Sequence, residues 1–511
     1  MADGALRILV ANRGEIAVRL VRACRELGHE SVAVYSDIDR TQPHVLAADL
    51  AVRIGPAPAR ESYLEQGAII EAAHSTGAGA VHPGYGFLAE NPGFARLVES
   101  SGLVWIGPPP DVIELLGSKT AAREVARSVR VPVVPGSEPL PGAGAARAFA
   151  ETVGYPILLK AVGGGGGKGM RIVRRAAEVE EAFARAASEG KAFFADERVY
   201  AEKLIEKPRH VEVQILGDRH GTIVHLGERE CSLQRRHQKV FEECPSVAVD
   251  ATLRARLGEA ALAVARAVGY RSAGTVEFLL APSGEFFFLE VNTRLQVEHP
   301  VTEAVYGVDL AQLMIREALG EALSLRQEAL VPRGHALECR VYAEDPLRGF
   351  APSPGTISSL ERPHGPGVRV DTGVREGSVV PLDYDPILAK LVVWAEDRPR
   401  ALARLRRALT EYHIAGIATT LPLFRLLLDV PEFQTGELHT GLLDELLAEG
   451  PVQALEAAVD PAVEEAAIVV AACLAAEEAE HLPHDAFDVA EREGRGWRLA
   501  GRTLAQGREP T

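Results

Sequence analysis

The chain has 511 residues, of which 47% are hydrophobic and 25% charged, with a formal net charge of −16. That length predicts more than one domain, and the balance is that of an ordinary globular protein. No window approaches eighteen consecutive apolar residues, no secretory leader is recognisable and no basic footprint offsets the acidic charge, so a membrane span, a signal peptide and a nucleic-acid partner are not expected.

Residues 1–115 alternate short apolar strands with amphipathic helices. Arg7–Asn12, Ser31–Tyr35, Ala78–His82 and Leu103–Ile106 are predicted strands. Gly14–Leu27 is a predicted helix with Ile16, Leu20, Ala23, Cys24 and Leu27 on one face. The alternation predicts a Rossmann-like parallel sheet covered on both faces. The turn after the first strand is Asn12-Arg-Gly-Glu15 rather than G-x-G-x-x-G, so nothing supports dinucleotide binding. His82–Phe87 is a tight loop, readable as a structural turn or as a ligand-facing one.

Residues 116–330 are richer in strands. Tyr155–Met170 reads as a strand feeding the glycines Gly163–Gly167. Such a loop brings backbone N–H groups close to a ligand, usually a phosphate. It is not a P-loop, which would need Gly at 162 and Ser or Thr at 169, where the chain has Val162 and Gly169. Lys160 ends the preceding strand, as a nucleotide-clamping lid requires; a hinge without a ligand is the alternative. Only eight of the 55 basic residues are lysine, so a retained ammonium draws attention. His210 on its own reads as a structural histidine. Ser232–Val240 gathers Arg235, Arg236, His237 and Lys239, which suits an anion site or a solvated loop.

Thr275–Ala281 and the run from Phe286 form a predicted hairpin around Pro282–Glu285. In Phe286–Pro300 every second residue from Glu290 is polar: Glu290, Asn292, Arg294, Gln296 and Glu298. Period two puts them on one face of an extended chain, where they suit a metal cation and a small oxyanion better than a core. If Ala281 pairs with Phe286, Glu277 lies directly opposite Glu290. A cation between two such carboxylates removes their repulsion, and hard oxygen donors suit Mg2+ completed by substrate phosphates.

Residues 331–446 mix strands (Ala336–Val341, Leu388–Val393) with a helix, Arg398–Tyr412. Glu338 and Arg340 share a strand face, which by itself reads as an ion pair. Residues 447–511 form an acidic, Ala- and Glu-rich helical tail; from 441 onward there are fifteen acids and five bases. The cysteines (Cys24, Cys231, Cys244, Cys339, Cys473) show no C-x-x-C spacing and read as reduced thiols of a cytoplasmic protein.

Taken together, Ala11-Asn-Arg-Gly-Glu-Ile-Ala17, His82–Leu88, the glycine loop, Arg235–Lys239, Glu290–Arg294, Gln296–Pro300 and Leu388–Leu391 resemble the biotin carboxylase component of biotin-dependent acyl-CoA carboxylases, within the ATP-grasp superfamily. The resemblance runs from about residue 6 to residue 446. It implies mixed α/β and α+β architecture: an N-terminal domain (1–115), an ATP-grasp domain (116–330) whose mobile glycine-rich lid spans about 131–204, and a C-terminal mixed domain (331–446). It implies that ATP activates bicarbonate as carboxyphosphate, which collapses to CO2 and carboxylates carrier-bound biotin. The acyl-CoA finally carboxylated would be of the acetyl-, propionyl- or methylcrotonyl-CoA class. Lys119, Lys160, Gly165 and Gly166 would hold nucleotide phosphates. Met170, Glu202, Lys203, Leu204, His210, Gln234, His237 and Leu279 would line the nucleotide. Glu277, Glu290 and Asn292 would hold Mg2+ or Mn2+. Lys239, Arg294, Gln296 and Val297 would bind bicarbonate, Glu298 would act as its base, and Arg340 would stabilise the biotin enolate. Expected partners are a biotin carboxyl carrier protein or domain, a carboxyltransferase subunit and a second copy in a homodimer. The tail would correspond to the cut-short start of a mediating domain. No Met follows Met314 and no Lys follows Lys390, so no Ala-Met-Lys-Met biotinylation sequence is expected downstream. Another ATP-grasp ligase and a non-catalytic ATP-binding assembly subunit are the alternatives.

If the glycine loop closes over nucleotide, MgATP will slow proteolysis at Gly163–Gly169. Limited digestion followed by mass spectrometry checks this; equal cutting with and without MgATP removes the clamping role.

Overall fold

The computed structural model describes residues 5–162, 170–194 and 196–449, together with Val469. The centre of the glycine loop, with Gly165 and Gly166, and almost all of the acidic tail lie outside the described residues.

The N-terminal alternation produces a five-stranded parallel sheet. Its strands are β1 (Arg7–Val10), β2 (Glu30–Ser36), β3 (Leu50–Gly55), β4 (Ala80–His82) and β5 (Val104–Trp105), in the order β3-β2-β1-β4-β5. The sequence pattern missed β3, an edge strand with exposed Leu50 and Ala51 whose apolar stretch Leu50–Val52 is broken by Arg53. The helix Gly14–Glu26 buries Ile16, Leu20, Ala23 and Cys24, as its spacing predicts, against Ile8, Val10 and the helix Leu310–Ala318. Strand order reverses beside β1, and there the loops after β1 and β4 meet. Asn12 Nδ2 donates to the carbonyls of Pro83 and Tyr85, both at 2.7 Å, and locks the two loops together.

The stretch expected to form the lid contains β6 (Ile157–Ala161), β7 (Met170–Val173) and β8 (Val199–Lys203), antiparallel in the order β7-β6-β8. The helices Ala143–Val153 and Val179–Phe194 contribute Ala146, Ala150 and Ala186 to a core with Ile157 and Leu159.

The largest sheet has eight strands. Its first six are β9 (Arg209–Gly217), β10 (Ile223–Arg235), β11 (Gln238–Cys244), β12 (Ser272–Leu280), β13 (Phe286–Asn292) and β14 (His335–Tyr342). They run β13-β12-β9-β10-β11-β14 and continue into Ile387–Ala395 and Val368–Thr372. The sheet therefore crosses residue 330 without a break. The helix Arg398–Glu411 packs Ala401, Leu405, Ala408 and Leu409 onto its far end.

Two predicted details of the hairpin differ. Leu280, not Ala281, pairs with Phe286, because Pro282 and Gly284 sit in a wider turn closed by Ala281 and Glu285. A bulge between Glu277 and Phe278 then restores the offset, so Glu277 still faces Glu290. The extended chain also stops at Asn292, and residues 293–298 leave the sheet before the helix His299–Tyr306 begins with Pro300 in its first turn.

At the centre of the sheet Arg229 is completely buried. It bonds Glu212, Gln214 Oε1 (2.7 Å), Thr302 Oγ1 (2.8 Å) and Thr275 Oγ1 (3.1 Å). Breaking a buried pair strands its partner charge, so Arg229→Ala is expected to cost about 3–5 kcal/mol of stability. The urea midpoint followed by circular dichroism checks this; a change below about 1 kcal/mol would show the network to be dispensable.

Candidate active site

The central charged groups of the site, Glu277, Glu290, Lys239, Glu298 and Arg340, arise from strands of the large sheet or from the segment after β13. Glu277 on β12 is buried. It accepts hydrogen bonds from Asn292 Nδ2 (2.7 Å) and Lys239 Nζ (2.9 Å), and its other oxygen lies 2.8 Å from His210 Nε2. Burial alone would raise its pKa; Lys239 and His210 outweigh burial and hold the carboxyl below the usual range. Gln234 Nε2 donates to His210 Nδ1 at 2.8 Å, which turns the other ring nitrogen toward Glu277. Glu290 is half-buried and pairs with Lys119 at 3.1 Å. Glu277 and Glu290 face each other across the hairpin as hard oxygen donors, which fits a small divalent cation; the Asn292 amide lies beside them, its Nδ2 on Glu277 and its Oδ1 accepting from Arg294 Nη2 at 3.3 Å.

Lys239 enters from the β10–β11 hairpin. Its Nζ lies 2.5 Å from Glu212, 2.9 Å from Glu277 and 2.8 Å from Glu298. Burial works against the ammonium, yet the three carboxylates push its pKa well above the ordinary value. The hairpin turn is Arg236–His237, with φ of 49° and 67°. Two central residues in the left-handed region make a type I′-like turn, normally reserved for Asn and Gly. Such strain persists where the surroundings over-determine it, and it concentrates at functional sites. The predicted anion cluster is thus a tight turn in which Arg236 and His237 are exposed and Lys239 points inward.

Glu298 is buried at the head of its helix, between Lys239 and Arg340 Nη2 (2.9 Å). Burial raises its pKa, but Lys239, Arg340 and Arg229 together carry it well below the ordinary value. Arg340 also holds Glu242 through Nε at 2.6 Å. The ion pair read between Arg340 and Glu338 does not form: Glu242, one strand over, sits where the fork reaches, and both Glu338 oxygens lack a hydrogen-bond partner.

The residues expected to line the nucleotide gather at the other end. Glu202 pairs with Lys160 and with Arg123 (2.7 Å). The backbone N–H groups of Lys203 and Leu204 are spent on the carbonyls of Pro135 (2.8 Å) and Pro156 (3.1 Å), and Lys203 Nζ donates to the Gly154 and Tyr155 carbonyls. His237 and Leu279 line the same cleft. Met170 is the cross-strand partner of Lys160 but does not line the cleft.

Two cavities meet at this site. The first, about 670 Å³, runs from Lys160 and Glu202 past Glu277 and Glu290 to Arg294, Gln296 and Arg340. Gln296 is buried and its Nε2 has no partner, while its Oε1 accepts from Arg294 at 3.1 Å. An orphan donor beside Arg294 and Lys239 fits a small oxyanion. The second cavity, about 380 Å³, is lined by Tyr85, Phe87, Tyr342 and Tyr384 and by the loop after β1. Gln238, Arg294, Val297 and Arg340 line both.

Known proteins resemble this chain in sequence and in fold. Three family profiles match consecutive stretches: "Biotin carboxylase, N-terminal domain" over 5–113, "Carbamoyl-phosphate synthase L chain, ATP binding domain" over 118–326, and "Biotin carboxylase C-terminal domain" over 338–445. The biotin carboxylase of Nostoc sp. is 48% identical over 441 residues, which is 86% of this chain and 99% of that protein. The chain belongs to the biotin carboxylase family. The rice mitochondrial methylcrotonoyl-CoA carboxylase subunit alpha is 49% identical over 92% of this chain, which spans 64% of that longer protein. The biotin carboxylase–β,γ-ATP complex from Campylobacter jejuni superposes with a TM-score of 0.79 at 44% identity, covering 86% of this chain and 98% of that one. The biotin carboxylase domain dimer of Hydrogenobacter thermophilus 2-oxoglutarate carboxylase, solved with MgADP, ADP and bicarbonate, gives 0.79 at 45% identity, covering 87% and 98%.

Several residues of this biotin carboxylase site escaped sequence reasoning. Glu90 receives Arg294 Nε (2.9 Å) and the Thr293 N–H (3.0 Å). Glu15 bonds the Tyr85 hydroxyl and lies 3.2 Å from Lys390, whose Nζ fixes the Val297 carbonyl at 2.8 Å. Glu212, Arg229 and Arg123 also belong here. Glu15 and Lys390 fall inside motifs that carry the resemblance, the one signal that points to them; the others come from segments remote in sequence and carry none.

Glu290→Lys places an ammonium opposite Glu277 and beside Lys119. The variant is expected to fold, since Glu290 is only half-buried, and to lose Mg2+-dependent ATP turnover by at least about 10²-fold. A thermal melt and ADP release check this; near-normal turnover would remove Glu290 from the metal set.

Proposed function

We propose that this chain carries out the first half-reaction of a biotin-dependent carboxylase: ATP, bicarbonate and carrier-bound biotin give carboxybiotin, ADP and phosphate. The observation that carries this is the wall common to the two cavities, with Arg340 and Val297 between a polar cleft and an aromatic one. A reaction that activates one substrate and delivers it to a second needs two compartments with shared groups at their junction.

In this reading Lys119, Lys160, Glu202, His210, Gln234, His237 and Leu279 receive the nucleotide, with Gly165 and Gly166 from the lid and Lys203 and Leu204 through their backbone carbonyls, their N–H groups being already paired. Glu277, Glu290 and Asn292 hold the divalent ion, which when bound offsets phosphate charge. Bicarbonate binds against Lys239, Arg294, Gln296 and Val297. Its hydroxyl proton passes to Glu298 as its oxygen attacks the γ-phosphorus and ADP leaves. A carboxylate as strongly neutralised as Glu298 is a weak base. It becomes a better one when the incoming anion draws Lys239 and Arg340 toward itself. The mixed anhydride releases CO2 next to the aromatic cavity, where the ureido nitrogen of biotin attacks it. The released phosphate accepts the ureido proton, and Arg340 stabilises the negative oxygen that develops.

A carrier protein or domain and a carboxyltransferase complete the cycle in this reading, and the latter selects an acyl-CoA of the acetyl-, propionyl- or methylcrotonyl class. Two copies of the chain associate, as in the Hydrogenobacter domain dimer. A cytoplasmic setting accords with four free buried thiols and no membrane-length apolar helix among the described residues.

The division of labour is testable. Removing an oxyanion donor costs about 10²–10³ in rate. Arg340→Ala is expected to lose biotin carboxylation to that extent while retaining much of the slow bicarbonate-dependent ATP cleavage. Glu298→Ala is expected to depress both, with ATP binding intact in each. Equal loss of biotin-independent ATP cleavage in the two variants would overturn the assignment of Arg340.

A further inference from the structure

We propose that Glu242 and Glu338 share a single proton behind Arg340, as a carboxylic acid–carboxylate pair that positions the guanidinium; the positioning role rests on the reading of Arg340 given above. Neither acid is a binding or catalytic group of the site just described.

The two residues are direct partners on the antiparallel strands β11 and β14. Opposed residues point to one face, with Cβ atoms about 4.5–5.5 Å apart. Both are completely buried. Of their four oxygens one is engaged, Glu242 Oε1, which accepts from Arg340 Nε at 2.6 Å. Glu242 Oε2 and both Glu338 oxygens have no hydrogen-bond partner. Three orphan acceptors on two adjacent buried acids are costly unless a hydrogen lies between them. A proton on Glu338 supplies it: the O–H donates to Glu242 Oε2, and Glu242 stays a carboxylate facing Arg340.

The surrounding charges agree. Burial raises the pKa of Glu338 well above the carboxylate range; Lys390 and Arg340 oppose this, and Glu242 and Glu298 add to it. Lys390 is committed elsewhere, to the Val297 carbonyl at 2.8 Å and Glu15 at 3.2 Å, with Asp371 at 4.0 Å. Glu242 is pushed up to about 7, by burial first, with Arg340 holding it down and Glu298 adding to the rise. Two like charges in one buried site cannot both ionise, and the acid without a cation in reach is the one that keeps the proton. A neutral Glu338 also leaves Arg340 facing two carboxylates instead of three. The guanidinium then keeps more of its charge for the oxygen that develops in the aromatic cavity.

Infrared difference spectroscopy of the full chain at pH 8 tests this. The wild-type minus Glu338→Gln spectrum is expected to contain the C=O band of a protonated carboxylic acid, shifted by deuterium exchange. If Glu338→Gln does not fold, Glu338→Leu replaces it. Because glutamine mimics the neutral acid, Glu338→Gln is expected to keep kcat within about threefold. Glu242→Gln turns the charge-assisted bond to Arg340 Nε into a neutral one and is expected to raise the KM for biotin by about tenfold or more, with biotin-independent ATP cleavage within about threefold. No acid band assignable to Glu338 would overturn the shared proton, whatever Arg340 does. An acid band with an unchanged KM for biotin in Glu242→Gln would overturn the positioning role, and Arg340→Ala then shows whether the reading of Arg340 fails with it.

Discussion

The site depends on one ammonium held among three carboxylates. Lys239 lies within 2.9 Å of Glu212, Glu277 and Glu298, all buried. Without that cation three negative charges would share a space too small for them. Arg229 and Arg340 extend the same compensation to Glu212, Glu298 and Glu242. The arrangement also explains the chemistry: the cations that keep the acids ionised in the free protein are the ones an incoming oxyanion can recruit.

Such a centre needs a rigid frame, and the eight-stranded sheet supplies it. Glu212 on β9, Lys239 and Glu242 on β11, Glu277 on β12, and Glu338 and Arg340 on β14 all project from one continuous ladder. Register therefore sets their spacing. The bulge that keeps Glu277 opposite Glu290 and the strained Arg236–His237 turn are local deviations that aim particular groups. The apolar cores around Leu337, Leu391 and Leu405, and around Val276, Phe278 and Phe288, lie apart from the charged centre and offset its cost.

The N-terminal sheet acts on the site through its loops. Asn12 joins the loops after β1 and β4, and Glu15 and Tyr85 carry that junction to Lys390 and the Val297 peptide. Glu90 reaches Arg294 from the same side. Groups at the edge of a parallel sheet thereby orient a site built on an antiparallel one.

Sequence alone was enough for the parallel N-terminal sheet, the β12–β13 hairpin and, with a bulge correcting the register, the opposition of Glu277 to Glu290, because each rests on local periodicity. It also allowed the family to be recognised. The partners of the charges were beyond it. Arg340 was paired on paper with Glu338, two residues away, yet bonds Glu242 and Glu298, 98 and 42 positions distant. Arg123, Glu212, Arg229 and Glu90 show no pattern in sequence that would mark them. The edge strand β3 has only the short apolar stretch Leu50–Val52 before Arg53, and the end of β13 at Asn292 is hidden by an alternation that continues past it. Periodicity tells which face a side chain takes. Only the tertiary ladder decides which strand lies beside it, and electrostatic compensation among buried groups is settled there, between residues far apart in the chain.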